Sequence, residues 1–124
     1  MQTINTPDAP EAIGPYAQAV ETGGMIYCSG QLPVNPANGK IEVAGAAEQT
    51  MRVLLNLRSV LEAAGSGLDK VVKTTVYLTD IGDFPAVNKV YGEMFAGHTP
   101  ARATVQVARL PKSSKVEIDA IAVK

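Results

Sequence analysis

Cysteine and histidine are almost missing from this chain: Cys28 and His98 stand alone in 124 residues. A single cysteine excludes an internal disulfide. One cysteine and one histidine cannot build a common zinc site without several carboxylates beside them, and no spacing here supplies those, so no metal is expected. There is no Ser-His-Asp arrangement. There is also no glycine-rich phosphate loop ending in Lys-Ser or Lys-Thr. Eleven Lys and Arg against twelve Asp and Glu leave a net charge of −1 with no basic run, which argues against a nucleic-acid partner. The apolar stretches are far too short to span a bilayer. Residues 1–8 carry neither the charged nor the apolar region of a signal peptide, so the expected location is cytoplasmic.

What is present suits one domain over residues 1–124. The apolar fraction is 46%, enough to supply a core, and no repeat, low-complexity tract or linker interrupts it. A short strand is expected near residues 2–5. A loop follows over residues 7–15, which hold three prolines and one glycine. Residues 16–21 read as extended, and residues 25–31 are rich in strand formers and closed by Leu32-Pro33. Residues 46–64 have helical periodicity: Ala47, Met51, Leu54, Leu57, Leu61 and Ala64 make one apolar stripe, and Gly65 stops the helix. Residues 71–79 alternate, with Val72, Thr74, Val76 and Leu78 on one face. Asp80 or Asp83 can cap a second helix whose buried face is Phe84, Val87, Val90 or Tyr91, and Met94, with Gly97 at its end. Two strands follow, joined by a turn over residues 111–114. Helices packed on one face of a mixed sheet, an α+β fold, account best for this order.

The polar chemistry is concentrated near the end. Arg102 sits at the first position of a strand behind Pro100, and Glu117 lies in the next strand. An arginine fork can hold a small carboxylate through two parallel hydrogen bonds. A nearby carboxylate can orient or deprotonate a water. Arg102, Thr104 and Gln106 share a face, as do Glu117 and Asp119; from pattern alone each could equally be a solvated sheet surface. If the last two strands form a simple hairpin, Glu117 pairs near Ala108, roughly 20 Å along the strand from Arg102. The two side chains then meet only across a subunit interface, or if the register departs from that hairpin. Gly14-Pro15-Tyr16 presents a hydroxyl after a rigid turn. Ser29-Gly30-Gln31 at a strand end offers a hydroxyl and backbone N–H groups, or simply a bulge. Cys28 should pack with Ile26 as a buried thiol, and His98 falls in a loop.

Together these residues resemble the RidA/YjgF family of enamine/imine deaminases. The resemblance runs nearly end to end. It is carried by Ile13-Gly14-Pro15-Tyr16, Ser29-Gly30-Gln31 with Leu32-Pro33-Val34-Asn35-Pro36, and Glu62-Ala63-Ala64-Gly65. It continues through Val72-Lys73-Thr74-Thr75-Val76-Tyr77, Phe84-Pro85-Ala86-Val87-Asn88 and Pro100-Ala101-Arg102. It ends with Val107-Ala108-Arg109-Leu110-Pro111 and Val116-Glu117-Ile118-Asp119-Ala120-Ile121-Ala122.

The resemblance implies a chorismate-mutase-like α+β fold and a homotrimer with a barrel-like core and clefts between subunits. It implies hydrolysis of 2-aminoacrylate and 2-aminocrotonate, through their imine tautomers, to 2-oxo acids and ammonia, without a cofactor. Arg102 matches the family's carboxylate-binding arginine and Glu117 its water-orienting glutamate. Tyr16, Ser29 and Gly30 match the cleft lining. The chain departs from many members at Thr99, where a Phe often precedes Pro-Ala-Arg, and at Thr104, often Cys or Ser. The stretch between the second helix and Pro100 is also shortened. These departures touch the cleft wall and leave the side-chain preference open. The alternatives are a non-catalytic module that binds a 2-oxo acid, and a ribonuclease or translation inhibitor, which the acidic balance disfavours.

Overall fold

Alternating apolar residues and two amphipathic helices build the architecture in a computed structural model that describes residues 1–124. The elements are β1 (Gln2–Ile4), β2 (Ala19–Thr22), β3 (Met25–Gln31), α1 (Ala46–Ala63), β4 (Val71–Leu78), α2 (Phe84–Phe95), β5 (Ala101–Gln106) and β6 (Val116–Val123). Single 3₁₀ turns at Leu68–Lys70, Ile81–Asp83 and Pro111–Ser113 punctuate the connections. The strands form one mixed sheet in the order β1-β2-β3-β6-β4-β5. Both helices cover one face of it. The core between the layers gathers Ile26 and Cys28 from β3, Val76 and Leu78 from β4, and Ile118 and Ala120 from β6. Leu54, Leu57 and Leu61 of α1 and Val87, Tyr91 and Phe95 of α2 close it from above.

The expected hairpin of the last two strands does not form. β5 runs parallel to β4, with Thr74 beside Arg102 and Val76 beside Thr104. β6 inserts between β3 and β4, antiparallel to both, and Glu117 pairs with Tyr77 rather than with Ala108. Burial explains the choice. Val116, Ile118, Ala120 and Ala122 are all buried, and a strand with one wholly apolar face is best placed in the sheet centre. β5 is exposed at every residue but Thr104, which suits an edge. The parallel β4–β5 pair needs a crossover, and α2 supplies it.

Two smaller expectations shift for local reasons. In α1 the buried arc is wider than the stripe read from sequence. Val53 and Val60 join Leu54, Leu57 and Leu61, while Met51 is 45% exposed. The arc takes in Thr50, whose hydroxyl donates to the Ala46 carbonyl at 2.7 Å. It also takes in Asn56, whose amide donates to the carbonyls of Leu32 and Val34 at 3.0 and 2.9 Å and so pins that loop to the helix. In β4 the pairing with β6 shifts between Val71 and Lys73, so Val71 turns inward and Val72 outward. Asp80 caps the 3₁₀ turn before α2 by accepting from the Gly82 N–H at 2.8 Å; Asp83 makes no cap bond. Ala96 takes the left-handed position that ends α2, one residue ahead of Gly97.

Cys28 is buried among these layers as expected. Burial, and then the charge of Asp119, push its thiol up to about 12. The thiolate fraction at pH 8 is therefore on the order of one in 10⁴, too small for a nucleophile. Cys28→Ala should keep full activity and cost about 1 kcal/mol of stability, read by chemical denaturation. Rapid alkylation of the native protein at Cys28, with loss of turnover before unfolding, would contradict this.

Candidate active site

The site begins at the irregularity that ends β3. The β3–β6 register shifts between Cys28 and Gln31, leaving Ser29 and Gly30 outside the regular ladder. The Ser29 hydroxyl donates to the Ala17 carbonyl at 2.6 Å, and its backbone N–H donates to the Gln18 carbonyl at 2.9 Å. The buried Gln18 side chain accepts from the Thr6 N–H at 2.7 Å and donates to the Pro10 carbonyl at 2.8 Å, which ties the proline-rich loop to the sheet. That loop delivers Tyr16, half-exposed, through Gly14 at φ 122°, a conformation that L side chains rarely adopt. Tyr16, Ser29, Gly30 and Glu117 line one cleft of about 980 Å³, with Glu11 and Lys112 also on its wall.

Glu117 stands directly over Gly30. A Cβ at Gly30 would lie 2.9 Å from the Glu117 carboxyl carbon and collide with its oxygen, so a side chain there would displace the Glu117 carboxyl from its present position. Burial, and secondarily the charge of Asp119 two residues along the same face, hold the Glu117 carboxyl above its usual range. Asp119 accepts a 3.0 Å hydrogen bond from the Tyr77 hydroxyl. A carboxyl raised in this way is a stronger proton acceptor than an ordinary one.

Arg102 and Thr104 are elsewhere. They share the helix-covered face of the sheet with Thr74 and Val76, whereas Glu117 projects from the opposite face. Two strand spacings across and three residues along β4 separate the two Cα positions by about 14 Å. The helix-side guanidinium lies against the rings of Tyr91 and Phe84, 4.8 and 5.3 Å from their centroids. It makes no ion pair; Lys124 with Glu21 is the salt bridge of the chain. The Thr104 hydroxyl oxygen is buried and has no hydrogen-bond partner. One chain therefore brings Tyr16, Ser29, Gly30 and Glu117 together and leaves Arg102 and Thr104 apart from them.

Sequence reasoning overlooked the two rings around Arg102 and the Tyr77–Asp119 bond. The second was within reach, because Tyr77 and Asp119 each alternate onto the face that carries Glu117. The first was not, because it depends on β5 lying beside β4 beneath α2.

A six-stranded mixed sheet with two helices on one face, and a polar cleft at the β3 bulge, define an α+β protein of small-molecule type. The chain belongs to the RidA/YjgF family: residues 6–124 match the family model described as Endoribonuclease L-PSP. It is 49% identical over 126 residues to the 2-iminobutanoate/2-iminopropanoate deaminase of Escherichia coli K12, covering 99% of this chain and 98% of that one. The crystal structure of the E. coli yjgF gene product superposes with a TM-score of 0.96 at 49% identity, over 100% of this chain and 99% of that one. That of E. coli TdcF with bound serine gives 0.95 at 45% identity, with the same coverage. No helix is long and apolar enough to cross a membrane.

The raised Glu117 carboxyl has a consequence for stability. It binds its proton more tightly folded than unfolded, so its contribution is complete below the ordinary carboxylate range and is lost as pH rises through the raised value. Glu117→Gln carries no charge to desolvate. Its melting temperature should exceed that of the parent at pH 8, with the gap closing by about pH 4. A lower melting temperature at pH 8 would mean that a cation from a second subunit favours the carboxylate by more than burial and Asp119 disfavour it.

Proposed function

We propose that this chain is an enamine/imine deaminase that converts 2-aminoacrylate and 2-aminocrotonate, as their 2-imino tautomers, to 2-oxo acids and ammonia. The observation that carries the reading is a division of labour. A guanidinium with no ion-pair partner sits on one face of the sheet, and a half-buried carboxylate of raised pKa sits in a polar cleft on the other. Neither completes a site alone, so the reading requires a second subunit to bring Arg102 and Thr104 to the cleft of Tyr16, Ser29, Gly30 and Glu117. We infer a homotrimer with sites between subunits. The cytosol is the setting that suits a free thiol such as Cys28.

The chemistry asks for positioning and proton transfer rather than a nucleophile. Arg102 holds the substrate carboxylate through its planar fork. Glu117 takes a proton from water as the water oxygen bonds to the carbon of the N-protonated imine, and the C=N electron pair collapses onto nitrogen to give a neutral amine. The resulting carbinolamine expels ammonia once Glu117 returns its proton to the amine, and the hydroxyl proton leaves as the C=O bond forms. Ser29 and Tyr16 hydroxyls and the Gly30 backbone line the path of the water and the leaving nitrogen. Thr104, whose hydroxyl lacks a partner within the chain, supplies a further contact beside Arg102.

TdcF with bound serine favours a second reading, a module that binds a small amino or 2-oxo acid without turning it over. A binder needs the arginine but not the glutamate. The ribonuclease reading carried in the family model's description finds no basic surface run to support it, at a net charge of −1.

Two measurements test the proposal. Light scattering at micromolar concentration should give three times the 13.0 kDa chain mass, and a monomer would remove the shared site. With imine generated in situ by a dehydratase, Glu117→Gln should lose about 10²-fold or more in kcat while binding 2-oxobutanoate nearly as well as the parent. Arg102→Ala should lose binding first, and Arg102→Lys should recover little because a point charge lacks the fork. Normal turnover by Glu117→Gln would hand the argument to the binding module.

A further inference from the structure

The support of Arg102 is more elaborate than an exposed edge-strand residue requires. Phe84 and Tyr91 lie two turns apart on the same face of α2, and both rings approach the one guanidinium. Tyr91 is itself fixed on two further sides. Its hydroxyl shares a buried 2.7 Å hydrogen bond with Thr74, and the Phe95 ring packs against it at 4.6 Å between centroids. Thr74 is the register partner of Arg102 across the β4–β5 pair. Strand, helix and edge strand thus form a closed circuit around the arginine.

An unsupported arginine on such an edge keeps its rotamer entropy, which a ligand would have to overcome on binding. Aromatic contacts engage the π-face of the guanidinium and leave its N–H groups, which lie in the plane, available. A salt bridge would also order the side chain, but it would spend those donors on the protein. The arrangement orders the group and keeps its donors for something else.

We propose that Phe84 and Tyr91 are positioning residues that hold the Arg102 guanidinium by its face, so that its N–H edge is ordered in advance for the carboxylate of the 2-imino acid. The inference rests on the deaminase reading for the identity of that carboxylate. Phe84 is the informative member. It is only partly buried, so its replacement by an aliphatic residue disturbs the core least.

The test uses the native assembly and 2-oxobutanoate as the carboxylate probe. Phe84→Leu should weaken 2-oxobutanoate binding by about three- to tenfold and raise KM in step, with a much smaller change in kcat. Phe84→Tyr should restore both, since the ring is what acts. In the parent protein, the Arg102 Nε–Hε resonance, assigned by its disappearance in Arg102→Lys, should show ring-current displacement that Phe84→Leu reduces. That displacement is measured on the parent, so its absence overturns the proposal even where Phe84→Leu fails to fold. If Phe84→Leu binds 2-oxobutanoate like the parent while Arg102→Ala does not, the rings are packing only and the deaminase reading stands. If Arg102→Ala itself binds normally, the carboxylate is held elsewhere and both readings fall.

Discussion

β6 is hydrogen-bonded along both edges, to β3 with Cys28 opposite Ala120 and to β4 with Thr74 opposite the same alanine. A strand gripped from both sides has no freedom of register, because a slip of one residue would carry Val116, Ile118, Ala120 and Ala122 out of the core and Glu117 and Asp119 into it. That constraint fixes where Glu117 points and which residue it covers. It also leaves β5 with only the outer edge of β4 to pair with, and so sets Arg102 beneath α2 on the far side of the sheet. The separation of Arg102 from Glu117 is thus a direct product of how the hydrophobic pattern of β6 is satisfied.

The two faces offer different physical environments. On the helix side, hydroxyls and amides are absorbed into specific bonds: Thr74 with Tyr91, Thr50 with the Ala46 carbonyl, Asn56 with the loop at Leu32 and Val34. Thr104 is the exception, a buried hydroxyl without a partner, and it sits next to Arg102 at the rim of that layer. On the other face the polar groups are left to one another. Tyr77 donates to Asp119, while burial and then the charge of Asp119 raise the proton affinity of Glu117. Unpaired groups inside a folded protein are costly. Thr104, on the strand that carries Arg102, is the buried side-chain group left in that position.

Much of this architecture is legible in the sequence. The strand at residues 25–31, the second helix, the Gly65 stop and the burial of Cys28 follow from local pattern and appear where that pattern puts them. The sequence separates Arg102 and Glu117 only under a hairpin register and leaves a departure from it open; the register does depart, and the two residues lie apart for a different reason. A hairpin would have separated them along one strand; the structure separates them by two strands and a face. Pattern alone could not choose, because adjacency in sequence favours the hairpin, while the choice of edge is made by burial across elements distant in the chain. The outward turn of Val72 and the exposure of Met51 were hidden likewise, since each depends on a neighbour's register rather than on its own period.

The division of the site bears on how the glutamate can work. Within one subunit, burial and Asp119 both push the Glu117 proton affinity up. In the shared cleft we propose, the Arg102 charge pulls it down. An arriving substrate changes that balance, because its carboxylate pairs with the guanidinium and cancels most of the pull. The glutamate is then a weaker base in the empty site and a stronger one when substrate is bound, which is when a water proton must be taken. Setting Arg102 against two rings, rather than pairing it with a carboxylate of its own chain, leaves this exchange available in the proposed site. A permanent salt bridge would have neutralised the guanidinium before the substrate arrived, and the change in field at Glu117 would have been lost.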